Sequence, residues 1–463
     1  MPDTDLSALP GLAQRQRAAF ATGRMRDANM RVAQLRRFRR AVTDAESRIL
    51  AALASDLGKP TLEAYGSDIA PLLSELDLLI RHTGHWSRPR RVGTPLLIPG
   101  SSFVHPEPYG AVLVMAPWNY PLQLALVPAV GAIAAGNHVT IKPSELSPAT
   151  AAVIADLVAE CFEPDHVTVV TGGVEHARAL LAQKWDYLFF TGGTKIGRII
   201  MTAAAENLTP LTLELGGKNP CIVTEHADIA ASAKRIAWGK FFNAGQTCVA
   251  PDYVLVHRSI KQKLIDALAE QITRFYGTEP KASEHYARIV NEGHLSCLVG
   301  MLDGEHVVIG GHSDATLRYL APTVVDDVSW DSPLMRDEIF GPILPLLAYD
   351  DLDDAFEQIG AFPNPLTAYL FSRDRAEQRR ALELAAGAVV LNDTLLHFTN
   401  PQLPFGGVGD SGMGKYHGRR TFFTFTHEKA VLKRRVWPRL LGVRWPPYWI
   451  PMPLIKVSLK WFG

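Results

Sequence analysis

The segment FFNAGQTCVAPDYV carries the side chain best suited to covalent chemistry, Cys248. Small and turn-forming residues, Asn243 to Gly245, precede it and an apolar strand follows. That pattern predicts a thiol on a loop between elements, where a nucleophile is useful. A lone cysteine also serves as a small buried hydrophobe, the reading that Cys161, Cys221 and Cys297 take in their apolar contexts. Glu214 lies 34 residues earlier and interrupts the apolar run of LTLELGGKNP. A carboxylate between Leu213 and Leu215 is costly to bury without a task or a partner. An ion pair with Lys218 is one answer. The other is a desolvated carboxyl whose raised pKa suits a general base. A thiol and a Glu base together suit covalent catalysis followed by hydrolysis. In APWNYPL the amide of Asn119 sits between Trp118 and Pro121, a fixed donor at a strand end. In TIKPSEL, Lys142 ends a strand and brings an ammonium group to the same edge.

The glycine-rich segments divide into one candidate and one decoy. FFTGGTKIG, from Phe189 to Gly197, closes a strand and opens a helix. Free N–H groups at that helix start favour a pyrophosphate, with Gly192, Gly193 and Gly197 permitting close approach. A plain tight turn explains the same residues. Gly407 to Gly412 fits G-x-G-x-x-G, but it follows LPFG rather than a buried strand and no βαβ unit comes after it. The overlapping Gly409 to Lys415 approaches a P-loop, yet Tyr416 stands where a magnesium-holding hydroxyl belongs. Both patterns reduce to one irregular loop.

The elements that must position these groups alternate strand and helix. From Gly110, short apolar strands (AVLVMAP, HVTIKP, HVTVVTG, DYLFFTG) are separated by helical stretches, the rhythm of a parallel sheet covered by helices. A second alternating region is expected from Leu211, beginning with LTLELGG. Two α/β units with a crevice between them follow, and ligands in such sheets bind at the carboxyl ends of strands. Residues 14–56 read as one long helix with an apolar stripe of Val32, Leu35, Phe38, Val42, Ile49 and Leu53. Its seven arginines from Arg24 to Arg40 read as a solvated face. After Pro89 a Pro/Gly-punctuated stretch predicts a hairpin or arm.

The composition bounds the partners. The 463 residues hold 47 Lys/Arg and 47 Asp/Glu, with 47% hydrophobic content. A formal charge of zero argues against a nucleic-acid binder, which needs a cationic surplus. Eight of the basic residues fall between Lys429 and Gly463, where no acid occurs. Four of the nine tryptophans lie there too: Trp437, Trp445, Trp449 and Trp461. Cationic and interfacial aromatic side chains are what an anionic membrane surface attracts. The cysteines show no metal-ligand spacing and no disulfide framework, so no metal is expected. No signal-like or bilayer-spanning run is visible, and a cytoplasmic setting is expected, with peripheral contact at the inner face of a membrane through the tail.

Taken together, APWNYPL, IKPSE, FTGGTKIG, LELGGKNP, FFNAGQTCVAP, DEIFGPILP and LPFGGVGDSGMGKYHG resemble the aldehyde dehydrogenase superfamily, in order and spacing, across roughly residues 30 to 430. The compact length and the CVAPDY and SGMGKYHG runs are most similar to the class 3 branch, with its fatty and aromatic aldehyde dehydrogenases; bacterial coniferyl aldehyde dehydrogenases are also similar. The resemblance implies a Rossmann-type cofactor domain over residues 1–90 and 107–210 and an α/β catalytic domain over 211–404. It further implies a β-hairpin oligomerisation arm from 91–106 and 405–430, the latter returning to the cofactor domain, a homodimer, and a tail over 431–463 for which packing over the partner subunit to gate the substrate tunnel stands beside membrane docking as an equal reading.

By the same resemblance, Cys248 attacks the aldehyde, Asn119 and the Cys248 N–H hold the oxyanion, and Glu214 activates the water that releases the acid. Glu338 would bond the nicotinamide ribose with Phe340 beside the ring, Lys142 would reach the adenine ribose, and the Gly192–Gly197 turn the pyrophosphate. Glu145 is placed to repel a 2′-phosphate, favouring NAD, although the branch also accepts NADP. Tyr65, Tyr120, Trp238, Leu395 and His397, which flank the matched motifs, are read as lining an apolar tunnel for medium-chain, long-chain or aromatic aldehydes. Packing in an interdomain core is the competing reading for each.

Overall fold

The computed structural model describes residues 3–95, 100–434, 446 and 451–462. Ala111–Met115 and His138–Lys142 are buried along their whole lengths, as parallel strands covered on both faces must be. They lie at the centre of a six-stranded sheet ordered Gly412–Met413, Leu211–Leu215, Tyr187–Gly192, Ala111–Met115, His138–Lys142, Val167–Val169. Every neighbouring pair is parallel except Gly412–Met413 with Leu211–Leu215. The chain runs outward from Ala111–Met115 in one direction and then crosses to Tyr187–Gly192 on its other side. The crevice at such a reversal opens beyond the carboxyl ends of these two strands, beside Asn119 and Gly193. Leu211–Leu215, expected to open the second unit at residue 211, is instead hydrogen-bonded into this first sheet.

A second, seven-stranded sheet runs His306–Ile309, Thr323–Asp326, Ile343–Tyr349, Tyr253–His257, Pro220–Val223, Thr367–Phe371, Ala388–Leu391. It is parallel apart from the first pair. The loop entering Tyr253–His257 carries Cys248. The helix Pro121–Ala135 is apolar on every side, and all of its 15 residues are buried between sheet and outer helices.

The long helix expected over 14–56 is three: Leu12–Ala21, Ala28–Asp44 and Glu46–Leu57. Gly23 adopts a left-handed φ of 74°, and the Asp27 carboxylate accepts the Asn29 N–H to cap a new helix start. Leu35, Phe38, Val42, Ile49 and Leu53 are buried as their periodicity predicts. Arg31 departs from the solvated face: it is buried and donates to the Ala134 carbonyl and Ser87 Oγ.

Gly100–Pro108 pairs antiparallel with both Arg90–Val92 and Thr426–Arg434, the latter in an unbroken nine-residue register. Beyond it, Met452–Phe462 is a helix. Trp437, Trp445, Tyr448 and Trp449 of the tail, and the side chains of Trp461 and Phe462, lie outside the described residues. Among those described, no helix is long and apolar enough to cross a membrane.

Candidate active site

Between the helix Ile229–Phe241 and the strand Tyr253–His257 the chain turns through three left-handed residues, Asn243, Ala244 and Gly245, with φ of 52°, 51° and 74°. Left-handed alanine is strained by roughly 1–2 kcal/mol, so the surroundings must hold the turn. The Asn243 N–H donates to Glu63 Oε2 at 3.0 Å, and its amide donates to the Asn119 and Gln246 carbonyls. Gln246 is bonded at both ends, donating to the Asn243 and Arg288 carbonyls and accepting the Val290 N–H. A Cβ on Gly245 would lie 2.2 Å from the Gly341 carbonyl, so the position admits no side chain. On the far side, Asn219 Nδ2 donates to the Cys248 carbonyl at 2.7 Å and to that of Ala250 at 3.1 Å. The thiol is therefore aimed by bonds to its backbone.

Asn119 follows the strand Ala111–Met115. One N–H of its amide donates to the Gln246 carbonyl at 3.0 Å, leaving a second N–H on the same nitrogen. Its own carbonyl accepts Lys59 Nζ at 2.9 Å, and Lys59 forms a fully buried ion pair with Asp68 at 2.8 Å. Asp68 also accepts the Leu122 and Gln123 N–H groups at the start of the buried helix. Removing one partner of such a pair leaves an uncompensated charge and costs about 3–5 kcal/mol. Lys59→Met is therefore expected to lower the thermal unfolding midpoint by several degrees, and an unchanged melt would contradict this placement.

Glu214 is 2% exposed, and among the described residues neither of its carboxylate oxygens has a hydrogen-bond partner. The ion pair with Lys218 does not form. Lys218 bonds Asp252 at 2.5 Å and the Leu334 carbonyl, while Asp252 also accepts the Ile339 N–H. Burial pushes the Glu214 carboxyl well above the carboxylate range, with Lys415 opposing in part. The glycine run that mimicked cofactor fingerprints is its cover. Gly412 pairs with Glu214 across the antiparallel edge, and a Cβ on Gly406 would lie 3.1 Å from Glu214 Oε1.

Two cavities meet at Cys248. One, of about 930 Å³, is lined by Tyr120, Leu124, Trp238, Phe242, Leu395, Phe405 and other mostly apolar groups. The second, of about 590 Å³, is lined by Trp118, Asn119, Gly192, Gly193, Gly216, Glu338 and Phe340 among others. Cys248, Glu214, Thr191, Leu124 and Leu215 belong to both walls. Tyr65 does not line the first cavity: it is exposed, and its stretch of chain gives the wall Leu62, Gly66 and Ser67 instead, of which only Ser67 is buried. Nor does His397 line it. Its ring lies against Phe405, which does, and His417 takes the wall position.

The second cavity suits a dinucleotide. Gly193 starts the helix Thr194–Glu206 with no side-chain cap, which leaves first-turn N–H groups available, and open space surrounds its Cα. Gly197 instead serves packing, since a Cβ there would meet Leu215 at 2.7 Å. Phe340, at a φ of 52°, packs edge-on to Trp118 at 5.3 Å, and His294 donates to its carbonyl. Burial lifts the Glu338 carboxyl to about 8. Lys142 ends the neighbouring strand with its ammonium on Glu145 at 3.0 Å and on the Pro143 carbonyl. Away from these cavities, ligand atoms of His306, Asp326 and Asp327 lie within 4.8 Å of one another. Lys261 already occupies that position, bonding both carboxylates.

Cys248 is half-buried where the two cavities meet. Desolvation, then the Glu338 and Glu214 charges, push its thiol up to about 12. Thiol, amide donor and unpartnered carboxyl thus share one junction. A profile of the aldehyde dehydrogenase family matches residues 7–431. The chain belongs to the aldehyde dehydrogenase family. It is 48% identical over 449 residues to the 4,4'-diaponeurosporen-aldehyde dehydrogenase of Staphylococcus aureus, covering 96% of this chain and 97% of that one. It is 43% identical to aldehyde dehydrogenase family 3 member A2 of Mus musculus, over 94% and 90% of the two chains. The substrate-bound structure of Staphylococcus aureus AldH is similar at a TM-score of 0.95 and 46% identity, covering 96% and 98%. An NAD+ complex of Mycobacterium tuberculosis aldehyde dehydrogenase is similar at a TM-score of 0.84 and 27% identity, covering 95% and 92%. This aldehyde dehydrogenase is an oxidoreductase that converts aldehydes to acids with NAD(P), and its relatives place it in class 3.

Proposed function

We propose that this enzyme oxidises apolar medium-chain, long-chain or aromatic aldehydes through Cys248. The supporting observation is the junction itself: Cys248 and Glu214 stand in the wall shared by an apolar cavity and a cleft with free helix-start N–H groups. The substrate's apolar body fills the first cavity and its carbonyl reaches the thiol. As the thiolate adds to the carbonyl carbon, the second Asn119 N–H and the Cys248 N–H donate to the developing oxyanion. When bound, oxidised nicotinamide supplies the hydride acceptor, with Glu338, Phe340, Gly193, Lys142 and Glu145 as the residues that would hold the cofactor. Glu214 then takes a proton from the water that attacks the Cys248 thioester, and the acid departs. Glu145, already paired to Lys142, adds negative charge where a 2′-phosphate would lie, which favours NAD over NADP.

A panel of straight-chain aldehydes tests the substrate class. The value of kcat/KM is expected to rise about tenfold or more from short to medium length, roughly as buried methylenes accumulate. A flat or falling series would defeat the reading.

We also propose a homodimeric assembly and a peripheral membrane contact through the basic tail. Leu454 and Val457 are exposed on the helix Met452–Phe462, which also carries Lys456 and Lys460. Full-length protein is expected to co-sediment with anionic vesicles more than a chain ending at Glu428; equal sedimentation would remove the membrane contact.

A further inference from the structure

Four residues after the thiol, Asp252 is 3% exposed and belongs to the same turn. Its N–H donates to the Asn219 carbonyl at 2.9 Å, and the Asn219 amide holds the Cys248 and Ala250 carbonyls. The Thr367 N–H donates to Asn219 Oδ1 at 3.0 Å, which ties this turn to the second sheet. The Asp252 carboxylate leaves the turn for another segment, residues 334–340. Oδ1 accepts the Ile339 N–H at 3.1 Å, and Oδ2 accepts Lys218 Nζ, which also donates to the Leu334 carbonyl. Ile339 is buried, and its neighbours Glu338 and Phe340 line the cofactor cleft. Phe340 holds its left-handed φ of 52° only because its surroundings fix it. The bonds from Asp252 to the Ile339 N–H and from His294 to the Phe340 carbonyl fix the backbone on either side. Glu338 packs against the run that leads to Lys218: a Cβ on Gly216 would lie 2.0 Å from its Oε2. Behind the bridge, Lys240 Nζ is buried without a hydrogen-bond partner among the described residues, 4.0 Å from Asp252 Oδ1.

We propose that Asp252, with Lys218 as its counter-charge, is a positioning residue that sets Glu338 and Phe340 for the cofactor at a fixed distance from Cys248. The inference rests on Glu338 and Phe340 being cofactor contacts and deepens that reading. One carboxylate joins the nucleophile's turn to the cofactor wall, so a shift of either carries the other with it. The bridge requires acceptors on both oxygens, which a carboxylate supplies. An Asn side chain has the same shape but turns a donor toward either the Ile339 N–H or the Lys218 ammonium. Both contacts are buried, where a mismatched donor costs most.

The experiment measures two properties of the full-length enzyme: NAD binding by calorimetry, and cofactor-free hydrolysis of an activated ester by Cys248. Asp252→Asn is expected to weaken NAD binding about tenfold or more. Ester hydrolysis is expected to stay within about twofold of wild type, because Asn219 holds the turn through backbone atoms. Lys218→Gln, which leaves the Ile339 bond in place and Lys240 as the remaining cation, is expected to weaken NAD binding about threefold or more. A wild-type Kd for NAD in Asp252→Asn would overturn the proposal. So would ester hydrolysis that falls in step with NAD affinity, the mark of a turn that has lost its shape. If Asp252→Asn does not fold, Lys218→Gln carries both measurements, and a wild-type Kd there is the overturning result. Wild-type NAD affinity in both Glu338→Ala and Phe340→Ala would defeat the cofactor reading of the wall and this proposal together. Weakening in those two variants but not in Asp252→Asn would defeat the positioning role alone.

Discussion

Cys248→Ala is expected to abolish aldehyde-dependent cofactor reduction, at least about four orders of magnitude below wild type. No other thiol stands in: Cys161 and Cys221 are buried elsewhere and Cys297 is exposed on the helix Glu292–Gly300. The variant should remain folded, because the bonds that shape the loop reach its backbone, and Asn219 holds the carbonyl of residue 248 whatever its side chain. Equal reduction by both proteins, followed at the reduced-nicotinamide absorbance band, would disprove the assignment. The thiol also predicts a pH response. A group held at about 12 is almost wholly protonated near neutrality, and the thiolate is the reactive form. Alkylation of Cys248 in the cofactor-free enzyme should therefore quicken nearly tenfold per pH unit between about pH 7 and 9. Ionisation of Glu338 near 8 blunts the slope. A rate independent of pH would contradict the enclosure described above.

Glu214→Gln is expected to separate the two halves of the reaction. Acylation of Cys248 should proceed and hydrolysis should stall, giving a burst of about one reduced cofactor per site and then turnover slower by about 10²–10⁴-fold. Intact-mass analysis should find the acyl group on Cys248; steady turnover without a burst would overturn the role. The same variant carries a stability signature. Burial raises the folded-state pKa of Glu214, so the folded chain binds the proton more tightly than the unfolded one. Its contribution to stability is fully present below the ordinary carboxylate value and is lost as pH rises through the folded pKa. Gln has no such dependence. Glu214→Gln should therefore gain thermal stability over wild type on moving from about pH 5 to 9, while losing activity throughout.

What the sequence made legible depends on how far each interaction reaches along the chain. Cys248, Glu214 and Asn119 announce themselves locally: a thiol after turn-forming residues, a carboxylate inside an apolar strand, an amide at a strand end. The supports of these groups do not. Lys59 and Asp68 read as ordinary surface charges until a contact 60 residues away places Lys59 on the Asn119 carbonyl. Asn219 bonds a loop 29 residues on. The misplaced wall residues have a rotational cause. Tyr65 opens the stretch Tyr65–Ile69, which widens to a π-helix, and there the buried wall position falls to Ser67 while Tyr65 stays exposed. His397 lost its place because Phe405 comes between it and the cavity, a contact that no local pattern encodes. The break-up of the 14–56 helix was marked by Gly23 and by Asp27 ahead of a new helix, both capping signals overlooked beside a strong apolar periodicity.

The antiparallel pairing of Gly412 with Glu214 also bears on how the protein is made. Glu214 is laid down near the middle of the chain, but the groups that enclose it, from Phe405 to His417, leave the ribosome almost 200 residues later. Until then the edge of Leu211–Leu215 that Gly412–Met413 covers has no partner strand. Cys248, which emerges in between, likewise waits for Phe405 and Tyr416 to close its cavity. A chain that ends before residue 405 would hold Cys248 and Glu214 without the residues that complete the wall around them.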